Sequence, residues 1–379
     1  MGVWRLLSRG ERDRATDSTR ESVFSRRYLM KAGKIRLLAI TTAALVLTTT
    51  AVQSSQAATK PAPFNAGPVK IALVQNSGAG DYFQQWTNGA KKQATAVGFE
   101  MQVYDAQADA AKQATDMETA IGSGVKGIIV DHGNADTMCP GINKAIDAGI
   151  PVVVYDNDIR KCAPRAVFTS QSDEALATAV LGQAVKDLGK NKTVGYVNVL
   201  GIAPLDRRHL VWLKITKAQK WTQKFFVGKF TNSVATDNAQ LVDAALKANP
   251  KISAIFAPYD ELAKGTISAI YQNKLQSKIK VYGIDISNAD IDLMTKAGSP
   301  WTATAGTDPN AIGAGVVRVM ALKLAGQQAS TVVSFPGVLI TAKFLKTNKI
   351  KNMDDLRAKL PSLSMSKAAS ADWIPSVTF

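Results

Sequence analysis

The chain has 379 residues, 46% of them hydrophobic, and a formal net charge of +16. That length and apolar content exceed one ordinary domain and make two α/β domains the natural expectation. Residues 1–57 hold ten Lys/Arg against four Asp/Glu, leaving 36 against 26 in the remainder, where the lysines are scattered without aromatic interleaving, which argues against a nucleic-acid groove.

The chain opens on a leader pattern. Ser25-Arg26-Arg27-Tyr28-Leu29-Met30-Lys31 fits the twin-arginine export motif, and an apolar stretch from Leu37 to Val46 follows. Small residues at Ser55-Gln56-Ala57 suit a signal peptidase, so residues 1–57 are expected to be a signal peptide cleaved near Ala57, with 58–67 a linker. The alternative is an uncleaved membrane helix, but the apolar core of about ten to fifteen residues falls short of the roughly twenty that span hydrocarbon. Met30, backed by Lys31, Lys34 and Arg36, could also be the start of a general secretory signal, and export is expected by either route. No cysteine follows the apolar core to carry a lipid, so the expected location is the periplasm.

Beyond residue 67, short apolar runs alternate with segments of helical period. KIALVQN precedes a helix from Phe83 to Val97, EMQVYDA one from Ala110 to Gly122, and GIIVDH one from Ala135 to Ala148, before PVVVYDND. The rhythm restarts after Thr169 with helices at Asp173–Leu188, through Arg208 to Lys220, Ala239–Ala248, Leu262–Gln272 and Ala289–Ala297. Between them lie the runs TVGYVNVL, KFFVGKF, AIFAPYD and KVYGIDI. A β-α-β-α rhythm with nearly continuous Val/Ile strands means a parallel sheet covered on both faces, here twice over. The expected fold is α/β, two doubly wound parallel-sheet lobes.

In open parallel sheets ligands bind beyond the carboxyl ends of the strands. Those ends carry Asn76, Asp131-His132, Asp156-Asn157, Asp260 and Asp285, so polar side chains are expected on both walls of a cleft. Any single Asp there would read as a helix N-cap, but repetition at most strand ends favours a site. The two cysteines, Cys139 and Cys162, are 23 positions apart in an exported chain, which favours a disulfide over two free thiols. His132 and His209 are too few and too separated for a metal site or a triad, and no cofactor is expected.

The ordered set KIALVQNSGAGDYFQQWTNGAKKQA, GIPVVVYDND, PKISAIFAPYDELAKGTISAI, VYGIDIS and ATAGTDPNAIGAGVV resembles the ribose-binding protein family of periplasmic receptors, which serve sugar-importing ABC transporters. The likeness spans about 70 to 345. It implies a type 1 periplasmic-binding fold, a monomer hinged by three crossings near Ser170–Asp173, Gly306–Pro309 and Phe335–Gly337. The lobes are then 68–171 with 308–336, and 172–307 with 337–379, a tail that runs past the family's usual end.

Carried over by position, the resemblance makes Tyr82 and Phe83 the aromatic wall, Asp156 a hydroxyl-accepting carboxylate and Asp285 its counterpart on the far lobe. It adds Asn76 and Asn157 on the first lobe, and Asp206, Arg207, Arg208, Tyr259 and Thr307 on the second. Asp156-Asn157 stands where ribose receptors carry Asp-Arg, Tyr259-Asp260 replaces Asn-Asp, and Thr307 replaces a glutamine, which points away from ribose itself. The stretch MCPGINKAIDAGIPVVVYDNDIRKCAPRA, with LDRRHLVWLK, is also similar to receptors for autoinducer-2, including their cysteine pair. The ligand is then a pentose, hexose or sugar alcohol passed to a permease, or alternatively a polyol signal passed to a sensor or chemoreceptor.

These residue types suit such a ligand. Flat aromatics cover the C–H face of a sugar, and carboxylates accept from adjacent hydroxyls in charge-assisted bonds. A helix-turn-helix regulator of the same fold would begin with a DNA-binding module where this chain has its leader. No GxSxG, HExxH or P-loop is present, so an enzyme is not expected.

Overall fold

A computed structural model describes residues 59–379 other than Ala329 and Ser366. The expected signal peptide and its cleavage site near Ala57 lie outside the described residues.

The first run of elements is β1 (Val69–Gln75), α1 (Asp81–Val97), β2 (Phe99–Asp105), α2 (Ala110–Gly122), β3 (Gly127–Asp131), α3 (Ala135–Asp147), β4 (Val152–Tyr155) and β5 (Val167–Gln171). The second is α4 (Asp173–Leu188), β6 (Thr193–Val197), α5 (Ala203–Gln219), β7 (Thr222–Val227), α6 (Val234–Ala248), β8 (Ala254–Ala257), α7 (Asp260–Gln272), β9 (Lys280–Ile284), α8 (Asn288–Thr295) and β10 (Trp301–Gly306). The chain then returns through α9 (Pro309–Leu324) and β11 (Val332–Phe335) before β12 (Val338–Thr341), α10 (Ala342–Thr347) and α11 (Met353–Lys359).

Two six-stranded sheets result, ordered β11-β5-β4-β3-β1-β2 and β12-β10-β9-β8-β6-β7. Strands β3, β4 and β8 are buried along their whole length because helices cover both faces, which is why they read as unbroken apolar runs. The sheets are not wholly parallel, since β12 runs antiparallel to β10. The chain reaches β12 straight from β11 through Pro336-Gly337, and Gly337 is required there because a Cβ would lie 2.8 Å from the Gly306 carbonyl oxygen. Helix α6 begins at Val234, five residues before the expected Ala239; Asn238 fixes this turn by donating to the Lys229 and Val234 carbonyls at 2.7 and 2.8 Å.

On the first lobe α1 packs on α9 so closely that a side chain at Gly89 would strike the backbone of Asn310. The second lobe holds an aromatic stack in which Tyr196 lies 4.8 Å from Trp212 and 5.8 Å from Phe256.

The tail departs from its expected place on the second lobe. Helix α11 does sit there, with the Met353 amide donating to Asn288 Oδ1 at 2.7 Å. Past residue 360, however, the chain crosses to the first lobe. Arg318 of α9 donates through Nε to the Ala368 carbonyl at 2.8 Å and through Nη2 to the Met365 carbonyl at 3.0 Å. Gln93 of α1 donates to the Pro375 carbonyl at 2.9 Å, and the Trp373 ring lies 4.9 Å from that of Phe64. The cause is Arg318, buried on an apolar helix and in need of acceptors that the tail carbonyls supply. Burial pulls its pKa down to about 10.

Candidate functional site

The carboxyl ends of the two sheets face each other across a cavity of about 170 Å³. At three strand ends the backbone turns through the left-handed region on a non-glycine residue: His132 after β3 (φ 56°), Asp156 after β4 (φ 52°) and Asp285 after β9 (φ 79°). Each amide still extends the ladder by one rung, to the carbonyls of Tyr155, Thr169 and Ala305 respectively. Such turns cost about 1 kcal/mol or more for an L residue and persist where the surrounding structure enforces them.

Of the expected residues, Asn76, Tyr82, Phe83, Arg208, Tyr259 and Asp285 line the cavity. Phe83 lies 5.0 Å edge-on to His132 and 6.1 Å from Tyr259, while the Tyr82 hydroxyl shares a hydrogen bond with that of Tyr155. Asp156 is buried beneath: its Oδ1 accepts from Arg207 Nη2 at 2.6 Å and its Oδ2 has no partner. Asp285 Oδ2 stands 3.6 Å from Arg208 Nη1, and its Oδ1 is likewise without a partner.

The other expected residues do not line it. Arg207 stands behind the wall, bridging Asp156 and Asp173. Asp206 turns outward to accept from the Gly201 amide at 3.0 Å, which shapes the loop into α5. Asp131 is held by His132 Nδ1 at 2.6 Å, and Asn157 packs behind toward the His132 carbonyl. Thr307 donates to Gln171 Oε1 at 2.8 Å at the second crossing, and buried Asp260 faces Lys264 one turn along α7. Asp206, Asp131 and Asp260 are each captured by a near partner within their own loop or helix, whereas Arg207, Asn157 and Thr307 are held by partners from other elements.

Asp173 and Gln171 gave no such signal, and His132 was visible only as half of the Asp131-His132 strand end. Asp173, at the first crossing, accepts from Arg207 Nε and Arg208 Nε at 2.8 Å each and so orients both guanidinium groups. Gln171 and His132 also line the cavity. Asn134 adds one more polar side chain, and apart from glycines the rest of the lining is apolar: Ala108, Ala110, Ile202, Pro204, Leu205 and Phe230.

Sheet order separates these two kinds of lining. Gln171 and Asp285 follow β5 and β9, with Asp156 buried behind them after β4, toward the edge where the chain crosses between lobes. Ala108 and Ala110 follow β2, Ile202 to Leu205 follow β6, and Phe230 follows β7, at or next to the opposite edge. The cavity is therefore charged at its hinge end and apolar at its outer end.

Burial pushes the Asp156 carboxyl up to about 7, with Asp173 adding repulsion against the pull of Arg207 and His132. Asp285 also rises to about 7, again by burial, which Arg208 only partly offsets. Burial opposes protonation of His132, but the Asp131 carboxylate outweighs it and the imidazole pKa is raised. Cys139 and Cys162 form a disulfide that ties α3 to the loop after β4. Among the described residues no group of three or more His, Cys, Asp or Glu is placed to hold a metal ion.

The periplasmic binding protein domain model matches residues 71–328. The chain is similar to the ribose import binding protein of Salmonella typhimurium, at 25% identity over 68% of this chain and 86% of that one. It is similar to that of Bacillus subtilis at 26% over 74% and 91%. Among solved structures, the 5-methylthioribose transporter solute binding protein of Thermotoga lettingae, in complex with 5-methylthioribose, is 36% identical over 81% of this chain and 97% of its own, with a TM-score of 0.78. A sugar ABC transporter protein of Yersinia enterocolitica is 29% identical over 81% and 93%, also at 0.78. With one family model matching residues 71–328, the chain belongs to the periplasmic binding protein family and is an extracytoplasmic solute receptor, not an enzyme.

Proposed function

We propose that this receptor serves a sugar-importing ABC transporter and that its solute is a pentose bearing an apolar substituent, of which 5-methylthioribose is the model. The observation that carries the reading is the two-ended cavity. At the hinge end, Asp156 Oδ2 and Asp285 Oδ1 are buried acceptors without partners, and the Arg208 guanidinium is a donor beside Asp285. Adjacent ring hydroxyls satisfy all of these, and Tyr82 and Phe83 cover the ring face. At the outer end, Leu205, Ile202 and Phe230 offer nothing to a hydroxyl and bury an alkylthio group instead.

The same reading takes the receptor as a monomer of the periplasm, exported by a twin-arginine signal in residues 1–57. The lobes close on the solute about the three crossings near residues 171, 307 and 336.

Calorimetric titration with 5-methylthioribose, ribose, hexoses and alditols tests the ligand. Tighter binding of 5-methylthioribose than of ribose by about 1–3 kcal/mol is expected from the apolar end. A folded sample that binds ribose or an alditol at least as tightly rules out the substituted pentose.

A further inference from the structure

Away from the solute cavity, a second set of charges joins the lobes. Lys264 of α7 places Nζ 2.7 Å from Glu261 Oε1, 3.2 Å from Asp260 Oδ2 and 3.5 Å from Asp290 Oδ1, all on the second lobe. The first lobe adds Asp81, which heads α1 and brings Oδ2 to 2.6 Å from the same ammonium. Ser287 Oγ also reaches Asp81 Oδ2, at 3.5 Å.

One cation thus serves four carboxylates in the closed form. Three of them belong to the lobe that carries Lys264, and only Asp81 arrives when the lobes meet. Asp290 is fully buried and neither of its oxygens has a hydrogen-bond partner. Tyr259 and Asp285, the other titratable groups facing the set, add no positive charge.

We propose that Asp81 makes closure of the lobes take up a proton, held within the Asp260–Asp290 pair, so that closure is favoured as the pH falls. The inference rests on the hinged-lobe reading above but not on the identity of the solute. Bringing a fourth carboxylate to a set already in excess raises the proton affinity of its buried members. Burial pushes Asp290 up to about 6, Lys264 and Ser287 oppose this, and Asp81 and Glu261 add to it. Asp260 is raised well above the ordinary range, by burial first, with Lys264 opposing and Asp290 and Glu261 adding. Groups whose pKa is higher in the closed form favour closure at low pH, and the advantage is lost as the pH rises through about 6 and beyond.

Single-molecule energy transfer between dyes on cysteines placed at the exposed positions Glu118 and Lys247, one on each lobe, reads the closed-to-open ratio without any solute. One linked proton changes that ratio by up to about tenfold per pH unit. Asp285 faces the solute cavity, Asp156 lies buried behind it and both titrate as well, so the comparison of variants decides. Between pH 5 and 8 the Asp81→Asn protein is expected to lose a clear part of the wild-type slope, and Asp81→Glu to restore it. Equal slopes in wild type and Asp81→Asn, or no recovery in Asp81→Glu, overturn the proposal.

Discussion

Replacing Asp285 by Asn separates binding from stability in opposite directions. In the proposed binding mode the carboxylate accepts from sugar hydroxyls in charge-assisted bonds worth about 1.5–3 kcal/mol, and a neutral amide retains only part of that. The dissociation constant for 5-methylthioribose should therefore rise roughly 10- to 100-fold at pH 8. The fold behaves otherwise, because burial raises this acid from 3.8 to about 7. A group with a raised pKa stabilises the folded protein at low pH, and that contribution disappears as the pH rises through about 7. Keeping the group ionised at pH 8 then costs on the order of 4 kcal/mol, an upper figure because Arg208 stays nearby in either variant. Asp285→Asn is expected to melt no lower than wild type at pH 8 and to show a flatter fall in melting temperature between pH 5 and pH 8. Calorimetric titration and thermal melting at both pH values measure the two effects. Wild-type affinity in the variant would refute the placement of Asp285 at the solute.

Phe230→Ala should weaken 5-methylthioribose by about 1–2 kcal/mol while leaving ribose almost unchanged, read by the same titration. Asp173→Ala strips the shared partner from Arg207 and from buried Arg208, and should destabilise by about 3–5 kcal/mol in urea unfolding. Reducing the Cys139–Cys162 bond opens a loop of 23 residues and should cost about 3 kcal/mol, seen as a lower melting temperature in dithiothreitol. Trp373→Ala should cost about 3 kcal/mol by thermal melting, because the ring bridges tail and first lobe.

The architecture was largely legible because its signals are local and repeated. Val/Ile runs such as GIIVD and VVVY can only be strands covered on both faces, and their alternation with amphipathic helices dictates parallel order. The antiparallel β12 was not legible, since a four-residue edge strand has no period of its own and its direction is set by where the chain re-enters the second lobe. Within the site, acids at strand ends were visible as a pattern, yet the pattern does not say which way each side chain turns. Asp131 and Asp260 differ from Asp156 and Asp285 in being claimed by a cationic or imidazole neighbour in their own loop or helix, His132 for Asp131 and Lys264 for Asp260, and which neighbour wins depends on rotamers that the pattern does not carry. The apolar end was not legible because Ala108, Leu205 and Phe230 come from two loops and the first turn of α5, and nothing in any one of these segments announces a shared wall.

The route of the tail has a further bearing on biogenesis. The polypeptide passes from one body to the other at β5, β10 and β11 and again after α11, so neither body is a continuous stretch. During synthesis the body begun first cannot complete its sheet until β11 has emerged, nor cover Arg318 until residues 365–375 follow. The nascent chain must therefore hold a sheet that lacks its sixth strand and the cover of α9 while the second body assembles, a demand for chaperone protection that falls on the earliest-made strands. For the same reason a single proteolytic nick at any one crossing leaves both bodies tethered by the other three, and the clipped protein should migrate intact until it is denatured.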